Sequence, residues 1–144
     1  MKRNQCMIAI ILLGSVLLGG CGEVYNEYYI SNHSAESLAI SLTPFYIENT
    51  DLSYGPLIED IRVSERSALQ QPVDYDQVGE SLHFSLPSKS SLYLGFSSGG
   101  NELFSQLEIS SESLQVVMDR DDYREYFEVY DRLVGAVVQV YNVR

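Results

Sequence analysis

Apolar and polar residues alternate one by one in short runs that recur along this chain. In the clearest run, Leu38, Ile40 and Leu42 are separated by small or polar residues. Successive side chains of a β-strand point to opposite faces, so this period of two places the three apolar residues on one face. The pattern predicts β-strands, because the apolar residues of an amphipathic helix recur every three or four positions instead.

Further runs of this kind are separated by clusters of Gly, Pro, Asn and Ser, which favour turns. Together they give about seven or eight short strands, a spacing typical of sandwiches and barrels. We predict an all-β fold, a single antiparallel β-sandwich of immunoglobulin-like type. The very apolar run Ala136–Val143 is predicted to be a buried central strand. The predicted core comprises Leu38, Ile40, Leu92, Leu94, Leu107, Val116, Val138 and Val140.

Three segments lack clean alternation. Phe45–Pro56 is predicted to be irregular, because Tyr54-Gly55-Pro56 has the composition of a turn. The polar stretch 64–80 is predicted to be a long connection or a poorly formed edge. Asp119–Leu133 is compatible with a helix or a strand. We favour a short helical turn, which Asp119 could cap, that leads into an extended segment.

Length and charge limit the number of domains and the kinds of partner. The chain has 144 residues, which fits one domain with its own core. Its net charge is −11, and its few Lys and Arg residues are scattered among acids. This field opposes binding to nucleic-acid phosphates, so no nucleic acid is predicted as a partner.

The N-terminus has the order of a secretion signal. Lys2 and Arg3 are followed by an apolar run from Met7 to Leu18, which ends in small residues. A transmembrane helix is the alternative, but a membrane span needs roughly 20 apolar residues, and this run is shorter. A cleaved signal is therefore favoured.

The end of this signal, Leu18-Gly19-Gly20-Cys21, resembles the lipobox of bacterial prolipoproteins. The resemblance implies cleavage before Cys21 and attachment of lipid, including palmitate, to that residue, with Leu18, Gly19 and Gly20 recognised by the signal peptidase. The expected organisation is a signal peptide over 1–20, a lipidated cysteine and short tether over 21–25, and a sandwich domain over 26–144. The membrane is then a partner through the lipid on Cys21.

Location and folding follow from the same resemblance. The residue after Cys21 is Gly22 rather than Asp, which in Gram-negative lipoproteins favours the outer membrane over inner-membrane retention. Loss of Lys2 and Arg3 with the signal would leave a net charge of −13. Cys6 would leave with the signal too, so the mature chain would hold no disulfide and would fold by packing alone.

Parts of the mature chain resemble small β-sandwich lipoproteins of unassigned function from Bacteroidetes. The resemblance rests on three motifs, Ile30-Ser31-Asn32-His33-Ser34, Leu38-Ala39-Ile40-Ser41-Leu42 and Leu86-Pro87-Ser88-Lys89-Ser90-Ser91-Leu92. These motifs consist mainly of residues that β-hairpins in general favour, so the resemblance supports the fold and implies no activity.

Few residues indicate chemistry. The two histidines, His33 and His83, lie in a predicted turn and on the polar face of a predicted strand, and are expected to be exposed. The serines lack the context of an activated nucleophile, and the histidines and thiols make a poor metal set, so no cofactor or metal is predicted. Carboxylate pairs are abundant: Glu59 with Asp60, Asp74 with Asp76, and Asp119 with Asp121 and Asp122.

Tyrosine is the one unusual component, with eleven residues in the chain. Tyr123, Tyr126 and Tyr130 lie close together beside acids and are a candidate interaction surface, although core packing is the plainer interpretation. We favour a non-catalytic binding or assembly module of the cell envelope, with another envelope protein or a glycan as partner. The alternative is a small envelope hydrolase that uses a carboxylate pair.

Overall fold

The computed structural model describes residues 25–44, 50–60, 66–98, 103–131 and 136–144. Within these ranges the chain forms eleven strands, one short helix and a 3-10 turn at Arg66–Ala68. The elements in chain order are β1 (Tyr25–Asn32), β2 (Leu38–Pro44), β3 (Thr50–Pro56), β4 (Gln71–Pro72), β5 (Asp76–Val78), β6 (Ser81–Leu86), β7 (Ser90–Ser98), β8 (Phe104–Ser110), β9 (Gln115–Asp119), α1 (Tyr123–Tyr126), β10 (Glu128–Asp131) and β11 (Ala136–Val143). The predicted lipid site, Leu18 to Cys21, lies outside the described residues.

The strands form two sheets that pack face to face, which confirms the predicted β-sandwich. The six-stranded sheet has the order β10-β11-β1-β7-β3-β4, and the five-stranded sheet has the order β5-β6-β2-β8-β9. Of the described strand pairs, only β1 with β11 is parallel. The immunoglobulin-like type stays a prediction, and the short β4, β5 and β10 raise the strand count above the predicted number.

The space between the sheets is filled by one large cluster, here called the inner core. It combines aliphatic residues with an aromatic group at one side, where the ring centroid of Tyr28 lies 5.9 Å from those of Phe104 and Phe127. Five of the eight predicted core residues belong to it: Leu38, Ile40, Leu92, Leu94 and Leu107. Val116 is only half-buried at its margin.

A second, smaller cluster lies on the opposite face of the six-stranded sheet and is here called the outer cluster. Its strand residues are Tyr29, Tyr93, Val138 and Val140, so the last two predicted core residues are buried here rather than between the sheets. Residues of the connection between β3 and β4 cover it: Ile58 and Leu69. The middle of the six-stranded sheet is therefore buried on both faces.

The prediction of an irregular segment up to Pro56 is wrong for its second half, because β3 pairs with β7 from Thr50 to Pro56. Gly55 is not a turn residue. A Cβ at this position would lie 2.5 Å from the backbone oxygen of Ala68, so only glycine lets the covering connection pack so closely. Pro56 stands at the end of the strand, where a missing N–H costs little.

The ambiguous segment after Asp119 contains α1 followed by β10, which confirms a short helical turn leading into an extended segment. The suggested cap is wrong, because the helix begins after Asp122. The Asp122 carboxylate instead accepts a hydrogen bond from the backbone N–H of Asp119 at 2.7 Å. The final strand, β11, is an interior strand between β10 and β1, as its apolar sequence predicts.

A buried asparagine fixes the turns at one end of the sandwich. Asn32 is fully buried, and its side-chain amide donates to the carbonyl oxygens of Glu36 and Pro87 at 2.9 and 3.0 Å. Its side-chain oxygen accepts from the backbone N–H and hydroxyl of Ser34. One side chain thus joins the β1–β2 turn to the β6–β7 turn and satisfies its own polar atoms.

Candidate functional site

A groove lies beside the short edge strand β5. It has a volume of about 420 Å³ and is lined by Asp74, Tyr75, Asp76, His83, Phe84 and Ser85. The polar stretch 64–80, which is predicted to be a long connection or a poorly formed edge, contains β5, an edge strand of only three residues. Because β5 is so short, the chain before it leaves the sheet and makes one wall of the groove.

Strand register places four polar side chains in one row across the outer face of the five-stranded sheet. Asp76 pairs with His83, His83 pairs with Ser41, and Ser41 pairs with Glu108. Directly paired residues of antiparallel strands point to the same face with Cβ atoms about 5 Å apart. The row therefore runs from a carboxylate through an imidazole and a hydroxyl to a second carboxylate.

Small side chains keep the middle of this face shallow. A second depression of about 250 Å³ is lined by Ala39, Ser41, Glu108 and Ser110, and it shares His83 and Phe84 with the groove. His83 therefore stands between the two depressions. The combined surface offers hydroxyl, carboxylate and imidazole groups to a ligand that lies across the strands.

The row contains the residue types of a Ser-His-Asp triad, but the geometry lacks its hydrogen bonds. Within the described part of the chain, no hydrogen bond joins Ser41, His83 and Asp76. A triad depends on an imidazole that is oriented by the carboxylate and bonded to the hydroxyl. As it stands, the arrangement suits recognition of a polar or cationic ligand, with the exposed ring of Tyr75 beside it.

A smaller cavity of about 120 Å³ lies beside the outer cluster. Its polar lining includes Glu59, Asp60 and Asn142, and its apolar lining includes Ile58 and Val140. The backbone N–H of Ile58 is bonded to the hydroxyl of a buried serine at 2.9 Å, which holds this wall in place. The predicted pair Glu59 and Asp60 thus faces one cavity.

The other predicted carboxylate pairs differ in what they do. Asp74 and Asp76 line the same groove. Asp119 accepts a hydrogen bond from the Gln106 amide at 2.9 Å, and Asp122 is bonded to the backbone of the same turn. The latter two acids therefore stabilise local structure.

The three tyrosines suggested as an interaction surface do not share a surface. Tyr123 is buried in the inner core with 4% of its surface exposed. Tyr126 is exposed and its ring centroid lies 6.4 Å from that of Tyr141. Tyr130 packs against the outer cluster on the other face of the sheet.

The two histidines also differ. His33 is half-buried, and its Nε2 lies 3.3 Å from the side-chain oxygen of Asn142. His83 is exposed on the polar face, as predicted. Sequence reasoning missed the groove because the register between β5, β6 and β2 brings distant residues together. In the sequence, the groove is indicated only by the polar positions of two alternating runs.

Among the described residues, one carboxyl group and one phenol group have a shifted pKa. Side-chain hydrogen bonds from Ser111 and Ser113 lower the pKa of Glu36. Burial raises the pKa of Tyr141, and the nearby Tyr126 adds to that rise. Neither group lines the groove.

Within the described ranges, no three His, Cys, Asp or Glu residues are grouped so that they could hold a metal ion. None of the helices described there is long and apolar enough to cross a bilayer.

The chain was also compared with known proteins. No protein-family model, curated protein or solved structure matches it.

Proposed function

We propose that this chain is an envelope lipoprotein, anchored by lipid on Cys21, whose β-sandwich is a non-catalytic binding module. The anchor is supported by the charged, apolar and small-residue parts of the signal, which occur in the expected order. Gly22 favours the outer membrane in a Gram-negative cell. Two or more acyl chains hold a protein stably, because each buried methylene contributes about 0.8 kcal/mol.

Metabolic labelling tests the anchor. Cells expressing the full chain or its Cys21→Ser variant are grown with a palmitate analogue, and label on the protein is measured. Incorporation into the wild type and none into the variant is expected. Equal labelling of both, or of neither, would remove the anchor from the proposal.

The binding part is supported by the groove beside β5. It places Asp74 and Asp76 on either side of the exposed Tyr75, with His83 opposite, on a protein of strong negative charge. Aromatic rings and carboxylates together suit a basic segment of another protein, and the hydroxyl-rich floor also suits a glycan. We favour a basic envelope protein, because the negative field would steer it to the surface.

Affinity capture tests this choice. The lipidated protein is immobilised, exposed to an extract of its own envelope and eluted with increasing salt. The Asp74→Asn/Asp76→Asn variant should lose the captured partner, and association should slow as salt rises. Asp121→Asn/Glu125→Gln removes the same charge elsewhere on exposed positions and serves as the matched control. Equal capture by both variants would refute the groove as the binding surface.

A hydrolase is the second candidate, because Glu59 and Asp60 face one cavity. Glycosidases use two carboxyl groups, one as acid and one as base or nucleophile. A panel of envelope polymers incubated with wild type and with Glu59→Gln and Asp60→Asn variants distinguishes the two functions. Turnover that disappears in either variant, without a captured partner, would favour the enzyme.

A further inference from the structure

The start of β1 limits where the domain can sit relative to a lipid anchor. Tyr25, the first residue of β1, follows Cys21 by four residues. Whatever their conformation, four residues span at most about 14 Å. A headgroup layer is roughly 6 Å thick, so an anchored Cys21 would keep Tyr25 in this layer or at most about 8 Å beyond it. The argument rests on the proposed lipidation.

An exposed aromatic pair stands at this end of the sheet. Tyr25 and Phe96 have 40% and 38% of their surfaces exposed, and their rings meet edge to face with centroids 6.0 Å apart. Tyr25 pairs with Ser98, and Phe96 pairs with Glu27, so both rings lie on the outer face of the six-stranded sheet. Tyr29 and Tyr93 lie on the same face, so the pair continues this row of aromatic side chains toward the predicted tether.

The same row is covered further from the tether. Tyr29 and Tyr93 are only 1% exposed, because Ile58 and Leu69 pack over them. The aromatic residues of the outer face are therefore more exposed at the end of the sheet from which the chain would run to the lipid anchor.

We propose that Tyr25 and Phe96 dock the sandwich on the headgroup layer of the bilayer that holds the Cys21 lipid. Aromatic rings favour this layer, where one part of the ring system meets methylenes and another meets water. Glu27 lies beside Phe96 and the protein is acidic, so zwitterionic headgroups fit this corner better than anionic ones. The tether supplies a high local concentration, so a weak contact suffices.

Tryptophan fluorescence tests this docking directly, because the chain contains no Trp. The full chain is expressed in cells that lipidate it, with Phe96→Trp as the only indole, and is reconstituted in phosphatidylcholine vesicles. Brominated acyl chains should quench the emission by about half, because an indole in the headgroup layer lies next to the first methylenes. Tyr75→Trp is the matched control. It replaces an exposed aromatic residue on the opposite face of the sandwich.

Vesicle flotation separates this inference from the anchor itself. Flotation of both variants, with quenching of Phe96→Trp alone, supports docking. Flotation with equal quenching of both indoles, or with quenching of neither, overturns it and leaves the anchor intact. If the wild-type chain does not float, the anchor fails and the docking fails with it. Vesicles with phosphatidylglycerol should give weaker quenching, and stronger quenching would contradict the assigned lipid charge.

Discussion

The inner core and the outer cluster bury similar residues but are closed in different ways. The inner core lies between two hydrogen-bonded sheets, and Leu107 belongs to β8, which is paired with a strand on both sides. The outer cluster is covered by a single connection, which contributes Ile58 and Leu69. That connection can open without the separation of any paired strands. We therefore expect local unfolding and faster amide hydrogen exchange around the outer cluster before the inner core opens.

The largest loss of stability should come from the substitution of a buried leucine by alanine, which can be made once in each cluster. Leu107→Ala in the inner core should lower the free energy of unfolding by about 3 to 4 kcal/mol, because strands on both sides prevent collapse of the cavity. Leu69→Ala should cost about 2 kcal/mol, because the covering connection can settle into the space. Urea denaturation of a Cys21→Ser chain without residues 1–20 measures both. Equal losses would show that the two clusters are equally rigid.

Gly55 tests the packing of the covering connection against β3. Gly55→Ala should destabilise the protein by about 1 to 3 kcal/mol, because the new methyl group meets backbone that must shift. Amide exchange should rise near Leu69 while it stays slow in β2 and β8. Gly79→Ala is a useful comparison, since Gly79 has open space around it but a φ of +64°. Faster exchange throughout both sheets would mean that the connection and the inner core open together.

Arg66 gives a smaller effect on the same connection. Its guanidinium carbon lies 4.1 Å above the ring of Tyr93, and it forms an ion pair with Asp51. Arg66→Ala should cost about 0.5 to 1 kcal/mol, because the contacts are partly exposed. Arg66→Lys should recover part of the loss. A thermal melt in low and high salt is the measurement, and no change in either variant would show that the apolar cover is sufficient.

Raising the pH should give the smallest of these changes in stability. It should act through Tyr141, which packs against the inner core. The raised pKa of Tyr141 means that folding favours the neutral phenol, so its stabilisation is complete below the unfolded pKa of about 10 and is lost as pH rises through the folded value. Stability should therefore fall above pH 10 and fall less in Tyr141→Phe. Denaturant midpoints at pH 9 and pH 11 provide the test. Identical pH dependence in the two proteins would contradict it.

Sequence patterns predicted the five-stranded sheet better than the six-stranded sheet. In β2 and β6 one face is solvated, so buried and exposed positions alternate as the sequence does. In β7 the first six residues are all buried, because both faces are covered. Such a strand loses the clear period of two.

The candidate site was less predictable than the fold. The groove depends on register between strands that are far apart in sequence, which composition and periodicity do not contain. β3 was missed because Gly55 and Pro56 have the composition of a turn, whereas their roles are close packing and strand termination. The tyrosines near α1 looked like one surface because they are close in sequence, but Tyr123 turns inward.

The parallel pairing of β1 with β11 has a consequence for the order of folding. Tyr25 pairs with Ala136, so β1 acquires one of its two partners only once β11 has been synthesised. Contacts between such distant residues slow folding, since a long loop must close before the contact stabilises anything. A chain synthesised from its N-terminus would therefore be unable to complete the six-stranded sheet until β11 has been made.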